Sequence, residues 1–373
     1  MKIGINLLFL LPGETGGIQT HAVALVEALG RLDREHEYFL FLNEESRDLP
    51  LELPANFHRV PCAFCARRRA VRYAWEQFLL PAQAIARGLD MVHSMAYVGP
   101  VLAPGLSLVT THDVNFLAWG RSMGALRRLT LGTICFAMAH RADTVLTVSH
   151  FAAQEIATRL RVNRRRIVVV ANAADAADAD DGATGGNNVV LPYFAAFAGG
   201  DENKNIARLI DAFVLAADRV PHRLVLLGRL APRLAEQVAR APASVQARIE
   251  ATGFLCRTEL RRRLRGAAFL VFPSFYEGFG LPILEAQREG VAVACANSSS
   301  LPEVAGDSAL LFDPHSTEDI AAKIEQLASD RTLQATLQDR GTRNVERYSW
   351  AASARRLYHV YLELLRPAAS PQI

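Results

Sequence analysis

Residues Lys2 to Leu42 carry the pattern that most limits what this chain can become: an apolar run, a glycine-rich loop, an amphipathic stretch and a second apolar run. Lys2 to Leu11 reads as a buried strand, and Pro12-Gly13-Glu14-Thr15-Gly16-Gly17 as the loop. Ile18, Ala22, Leu25, Val26 and Leu29 recur at helical spacing, with Gly30 where a C-cap is expected; Glu37 to Leu42 is the second strand. Strand–helix–strand of this length is a parallel βαβ unit. Its crossover is right-handed in nearly all cases, so the pattern predicts a doubly wound sheet. Such sheets bind small ligands at the carboxyl ends of their strands.

The alternation continues through Leu89 to His93, Leu106 to Thr111, Thr144 to Val148 and Ile167 to Val170. It breaks at residues 173–188, AADAADADDGATGGNN, which hold no large apolar side chain and read as a linker. It then restarts with Phe194 to Ala198, a helix from Ile206, Arg223 to Leu227, Ala268 to Phe272, a helix from Pro282, Val291 to Cys295 and closing helices. At roughly 100–200 residues per domain, 373 residues make about two domains. The expectation is α/β: two doubly wound parallel-sheet domains facing across a cleft.

Charge and ends exclude other classes. With 41 basic and 38 acidic side chains the net charge is +3, too balanced for a protein that neutralises many phosphates of nucleic acid. The N-terminal MKIGINLLFLLPG imitates a secretory signal, but Gly4 and Asn6 interrupt the apolar part and a glycine-rich loop replaces a cleavage site. No run approaches the ~18 apolar residues of a membrane span. Five sparse cysteines suit a reducing compartment, so a cytoplasmic protein is expected. Cys62-x-x-Cys65 has no second pair at zinc-ligand spacing.

Three loops at strand ends could carry chemistry. Pro273 to Ala286, PSFYEGFGLPILEA, follows the strand AAFLVF. Gly278 and Gly280 let the backbone approach a ligand, Pro282 suits the first helical turn, and the amides there face an anion. Glu277 in the loop and Glu285, expected in the first turn, can accept hydrogen bonds from sugar or ribose hydroxyls. Gly199-Gly200-Asp201-Glu202-Asn203-Lys204 lies after another strand. Only three of the 41 basic side chains are lysines (Lys2, Lys204 and Lys323), and Lys204 is expected as a mobile cation suited to a diphosphate. His112-Asp113 ends the strand LSLVTT, where a histidine can meet a substrate hydroxyl. The Gly13 to Gly17 loop is not Gly-x-Gly-x-x-Gly, so a nicotinamide site is weakly supported.

Other signals count for less. Asp178-Ala-Asp180 imitates a metal motif but lies in the linker, and no metal site is expected. Ser149-His150 lacks the Gly-x-Ser-x-Gly elbow of a hydrolase. The arginine runs read as solvated faces, although Arg67–Arg69 and Arg72 precede Trp75, Phe78, Leu79 and Leu80, a basic-aromatic segment that can contact anionic lipid.

Taken together, GGIQTH (16–21), MVHS (91–94), TTHDVNF (110–116), TVLTVSHFAAQEI (144–156), VVVANAAD (168–175), GGDENKN (199–205), PSFYEGFGLPILEA (273–286), SSLPEVAGDSALLFDP (299–314) and YSW (348–350) resemble the family 4 retaining glycosyltransferases of the two-Rossmann GT-B fold, especially bacterial polysaccharide mannosyltransferases. The resemblance implies an N-terminal acceptor-side domain (1–175), a linker (176–188), a C-terminal nucleotide-sugar domain (189–350) and a last helix (351–373) returning to the first domain. By the same resemblance Glu277 contacts donor-sugar hydroxyls, Glu285 holds the ribose, and His112 lies near the reacting carbon. Lys204 neutralises the leaving diphosphate. Gly16, Gly17, Gly200, Gly278, Phe279, Gly280 and Leu281 bind donor phosphates or sugar, and Gly253 and Phe254 line the base. The family often carries a basic residue before the motif lysine, where this chain has Asn203.

The function so implied is hexosyl transfer without metal or cofactor, from GDP-mannose or a UDP-hexose to a saccharide or lipid-linked acceptor in surface polysaccharide or lipopolysaccharide synthesis. The alternatives are a non-catalytic subunit of the same fold that binds a partner transferase, and a nicotinamide oxidoreductase.

Overall fold

The computed structural model describes residues 1–13, 16–118, 124–174, 191–199 and 201–365. The expected linker 176–188, Asp178-Ala-Asp180 within it, and Gly200 lie outside the described residues. The chain divides into two compact units: Met1–Asn172 with Ser349–Ile373, and Ala173–Tyr348.

The N-terminal unit is built on β1 (Lys2–Asn6), β2 (Glu37–Leu42), β3 (Phe57–Pro61), β4 (Met91–Ser94), β5 (Leu106–Thr110), β6 (Thr144–Thr147) and β7 (Ile167–Val169). They form one parallel sheet in the order β3-β2-β1-β4-β5-β6-β7. Strand order reverses between β1 and β4, which defines a switch point whose carboxyl side is open to ligands. One apolar cluster gathers Val109, Met138, Val145 and Ile156; another gathers Phe41, Leu80, Ala84 and Val92. The last helix, Trp350–Leu365, belongs to this unit and packs on the helix Gly17–Leu32. Tyr361, 1% exposed, lies with its hydroxyl 2.7 Å from His93 Nδ1.

The second unit holds β8 (Tyr193–Phe197), β9 (Arg223–Leu227), β10 (Ile249–Ala251), β11 (Phe269–Phe272), β12 (Ala292–Ala296) and β13 (Ala309–Phe312) in the parallel order β10-β9-β8-β11-β12-β13. Every residue of β11 and β12 is buried, as a sheet covered on both faces requires. Phe194 stacks on Phe269 at 5.1 Å between centroids and meets Phe213 edge-on. Its switch point lies between β8 and β11.

Several local expectations need correcting. The first strand stops at Asn6 rather than Leu11, because Leu7 N–H makes a last bond to the neighbouring strand at Phe41 O (3.1 Å) and Leu10 N–H then folds back onto Leu7 O (3.0 Å). The first helix does not end at Gly30; it runs to Leu32, and Gly30 instead lets Pro54 approach, since a Cβ there would lie 3.0 Å from Pro54 Cδ. Glu285 lies in the second turn of the helix Leu281–Arg288, not the first, because that helix opens at Leu281.

Candidate donor half-site and the histidine cluster

The β8–β11 switch point brings two loops together. After β8 the chain forms a short 3-10 turn, Glu202–Lys204; after β11 it forms the loop that ends at Gly280. Asparagines join them. Asn203 Nδ2 donates to Tyr276 O (3.0 Å), and Phe275 N–H donates to Asn203 O (2.7 Å). Asn205, with φ +57°, donates from Nδ2 to Pro273 O (3.1 Å) and Pro314 O (2.8 Å). Asn203 therefore takes up the position before Lys204 for structure, its buried amide joining the two loops.

From the other side, Ser299 Oγ accepts from Glu277 N–H (3.1 Å), and Ser300 Oγ lies 2.6 Å from Phe279 O and 2.9 Å from Glu277 O. With its backbone so clamped, Glu277 presents Oε1 to Lys204 Nζ at 2.7 Å. Lys204, expected as mobile, is half-buried and held in an ion pair. A lysine ammonium carries three N–H donors, and the Glu277 carboxylate has a second oxygen, Oε2.

The helix Leu281–Arg288 opens at Gly280, whose φ is +112° and whose Cβ, if present, would lie 2.7 Å from Leu301 Cδ2. Glycine is required there on both counts. Pro282 has no N–H, Ile283 N–H turns back to Gly280 O (3.0 Å), and Gly280 and Leu281 N–H meet no acceptor among the described residues. Oriented amides at a helix start favour an anion. Gly278 and Phe279 are buried within the same loop. One turn further, burial pushes the Glu285 carboxyl up to about 6 against the pull of Arg257.

Gly253 and Phe254 lie past the carboxyl end of β10. Gly253 (φ +71°) donates to Gly228 O (3.1 Å), Thr252 Oγ1 accepts from Gly228 N–H (3.0 Å), and the Phe254 ring is 66% exposed. An exposed aromatic face at this edge is a surface on which a flat base can stack.

In the N-terminal unit, Gly16 precedes the helix Gly17–Leu32 as its N-cap, with open space where a Cβ would stand. His112 lies two residues beyond β5, buried, and its Nε2 donates to Met95 O (3.2 Å). That bond fixes the tautomer and leaves Nδ1 as an acceptor. Burial and the neighbouring His21 hold its pKa well below the usual histidine value, so the ring is neutral at pH 7. Sequence reasoning missed His21 and His93, which join it in one buried group. It also used Asn205, Ser299 and Ser300 only as motif letters, and Asn203 only as a departure from the family's basic residue, although a buried Asn or Ser beside a glycine-rich loop is itself a sign of loop clamping.

The remaining signals resolve plainly. Ser149 Oγ caps the helix His150–Arg159 by accepting from Ala152 N–H (3.0 Å). Cys62 and Cys65 are free thiols, and Cys65 Sγ donates to Glu45 Oε1 (2.9 Å). No group of three or more His, Cys, Asp or Glu side chains suited to a metal ion occurs among the described residues. Among the same residues no helix is long and apolar enough to cross a membrane. In the basic-aromatic segment, Leu80 is buried and Trp75 stacks on Phe64, while Phe78 (75%) and Leu79 are exposed. Leu126 and Leu129 are exposed as well.

Two family profiles match: the one described as "Glycosyltransferase Family 4" over residues 15–178, and "Glycosyl transferases group 1" over residues 190–330. The serotype-specific mannosyltransferase WbdA of Escherichia coli is 28% identical over 239 residues, 61% of this chain but 29% of the relative. The chain thus spans less than a third of the length of that relative. The O-antigen chain mannosyltransferase B of Escherichia coli is 32% identical over 224 residues, 56% of this chain and 58% of the relative. Among solved structures, sucrose-phosphate synthase from Thermosynechococcus elongatus superposes with a TM-score of 0.77 at 18% identity, covering 98% of this chain and 99% of that one. With two parallel-sheet units of this fold and both profiles in sequence order, the chain belongs to the GT-B-fold glycosyltransferases, a Family 4 domain followed by a group 1 domain.

Proposed function

We propose that this chain is a retaining, metal-independent glycosyltransferase. It carries mannose from GDP-mannose to a lipid-linked saccharide in surface polysaccharide or lipopolysaccharide synthesis, at the inner face of the membrane. The observation that carries the reading is the Lys204–Glu277 pair at the β8–β11 switch point, beside the unengaged amides of Gly280 and Leu281. A diphosphate needs a cation and oriented N–H groups, and a sugar needs a carboxylate acceptor; this loop pair offers both. The names of the O-antigen and serotype-specific mannosyltransferases support the choice of sugar and pathway class.

In the proposed reaction the bond from the anomeric carbon to the diphosphate oxygen breaks, and its electron pair leaves with the nucleotide. Lys204 and the loop amides of Gly278, Phe279, Gly280 and Leu281 stabilise that charge. Gly16, Gly17 and Gly200 are assigned to close backbone approach to the donor, Glu285 to the ribose and Phe254 with Gly253 to the base. Glu277 holds sugar hydroxyls with the oxygen that Lys204 leaves available. The acceptor hydroxyl attacks on the face the diphosphate departs from, and its proton passes to a diphosphate oxygen. His112, neutral with a lone pair on Nδ1, accepts a hydrogen bond from a hydroxyl of the sugar. Catalysis is then positioning and electrostatic stabilisation.

Acceptor chemistry draws support from exposed Phe78, Leu79, Leu126 and Leu129 beside Arg67–Arg69 and Arg127–Arg128. Partial desolvation, with Arg69 and Arg72 nearby, holds the Arg127 guanidinium below its ordinary value. Apolar side chains interleaved with arginines suit an anionic lipid surface.

The test is nucleotide release and thermal shift across GDP-, UDP-, ADP- and dTDP-sugars with a lipid-linked saccharide. GDP release from GDP-mannose, reduced at least 100-fold in Lys204→Ala and in Glu277→Ala while both stay folded, is expected. Turnover with a UDP-hexose alone would reassign the donor. Wild-type rates in both variants would sink the site assignment, and no turnover with any donor would favour a non-catalytic subunit.

A further inference from the structure

Three buried histidines meet in the N-terminal unit, and only His112 enters the proposed chemistry. His93 is fully engaged, with Nδ1 2.7 Å from Tyr361 OH and Nε2 2.8 Å from Thr110 Oγ1. His21 differs. It is 1% exposed, and its Nδ1 lies 2.6 Å from Asn172 Oδ1, an oxygen that only accepts. Nδ1 therefore carries the proton, and Nε2 is a buried lone pair with no partner among the described residues.

The surroundings of this ring are specific. Its plane stands at 89° to the His112 ring with centroids 4.7 Å apart. On another side it meets Trp350 edge-on at 6.0 Å, whose Nε1 is also buried without a partner among the described residues. Asn172 is the last residue of the unit's first stretch, and Trp350 is the second residue of its returning stretch, Ser349–Ile373. The two passages are joined directly as well, since Ser353 Oγ donates to Ala171 O (2.6 Å). One side chain thus touches both places where the chain leaves and re-enters the unit, and it also touches the candidate catalytic histidine.

A phenylalanine would fill this space without burying an orphaned acceptor, so packing alone does not account for an imidazole here. What the imidazole adds is the Nδ1–H bond to Asn172, which fixes the rotation of the ring and hence the surface it offers His112. We propose that His21 is a positioning residue that holds the His112 ring in register from the chain passages at Asn172 and Trp350. The inference rests on the assignment of His112 to the donor sugar.

The experiment compares His21→Phe, Asn172→Leu, Asn172→Asp and the double variant His21→Phe/Asn172→Leu. Misplacement of a reacting group by ~1 Å can cost ~100-fold in rate. A drop in kcat of about tenfold or more is therefore expected for His21→Phe and Asn172→Leu, with donor KM within about twofold and no matching loss of Tm. Asn172→Asp keeps an acceptor opposite Nδ1 and stays within about threefold. The double variant falls no further than the single ones, because one bond is being removed twice.

The second readout is free of turnover: ring 15N NMR signals of His112 move in His21→Phe and Asn172→Leu and hold in Asn172→Asp. Unmoved His112 signals overturn the proposal, as does wild-type kcat in both variants or a loss that only tracks Tm. A wild-type protein with no transfer activity overturns the functional reading instead, while the NMR comparison still decides the positioning role.

Discussion

Replacing Glu285 with glutamine should make the protein more stable and less active at the same time. Burial raises the Glu285 carboxyl from the ordinary 4.5 to about 6, so the folded state disfavours the charged form. The sign follows from linkage. Below about pH 4.5 the group is protonated in both states and costs nothing. Between about 4.5 and 6 the unfolded chain ionises first, stability falls as pH rises, and above 6 the loss is complete and constant. The rise from 4.5 to about 6 corresponds to ~2 kcal/mol, which solvent screening of a half-buried side chain brings to about 1–2 kcal/mol.

Glutamine keeps the shape and removes the ionisation. For a unit of this size that gain raises Tm by about 2–6 °C at pH 7.5, and the gain disappears at pH 4.5. A ribose hydroxyl bonded to a carboxylate loses a charge-assisted bond in the variant, so donor affinity should drop by about 10–100-fold. Differential scanning calorimetry of Glu285→Gln and wild type at pH 4.5 and 7.5, with donor titrations, provides the check. A lower Tm for the variant at pH 7.5, or a difference that does not shrink on acidification, refutes the reasoning.

Gly280→Ala places a Cβ 2.7 Å from Leu301 Cδ2 at φ +112°, so Tm should fall by an amount equal to about 1–3 kcal/mol and transfer should collapse with it; an unchanged Tm contradicts the geometry. Transfer is expected to persist in excess EDTA, and complete loss reversed by Mg²⁺ or Mn²⁺ would overturn metal independence. Phe78→Ser with Leu126→Ser should weaken co-sedimentation with phosphatidylglycerol vesicles several-fold while leaving nucleotide release to a soluble acceptor analogue intact. Equal sedimentation would remove the lipid reading.

The central strands were legible because parallel sheets bury both faces, which writes continuous apolar runs such as FLVF in β11. Glu37–Leu42 and Arg223–Leu227 are found to the residue. The strands that escaped, β3, β10 and β13, are all sheet edges. Phe57–Pro61 buries only Phe57 and Val60, and Ile249–Ala251 is three residues with a glutamate at its centre, so neither shows an apolar run. Pairing with a neighbour, rather than local pattern, makes them strands.

The same division holds at the site. Glu277, Glu285, Lys204 and the glycines stand out as residue types with chemistry at strand ends. Their supports do not, because Asn203, Asn205, Ser299 and Ser300 act across 21 to 109 residues of sequence. His21 was hidden for a related reason: its partner Asn172 lies 151 residues away.

The discontinuous N-terminal unit has a consequence for biosynthesis. Its first stretch is made before the second unit, yet the helix Trp350–Leu365 that covers the helix Gly17–Leu32 is made only after the whole of that unit. Until then the apolar face that receives Leu357, Val360 and Tyr361 is bare, while Ala173–Tyr348 already holds its whole six-stranded sheet. The second unit can therefore reach its native structure while the first still waits for the helix Trp350–Leu365. A fragment ending at Asn172 should be sticky and aggregation-prone, and chaperone demand should concentrate on residues 1–172 until that helix arrives.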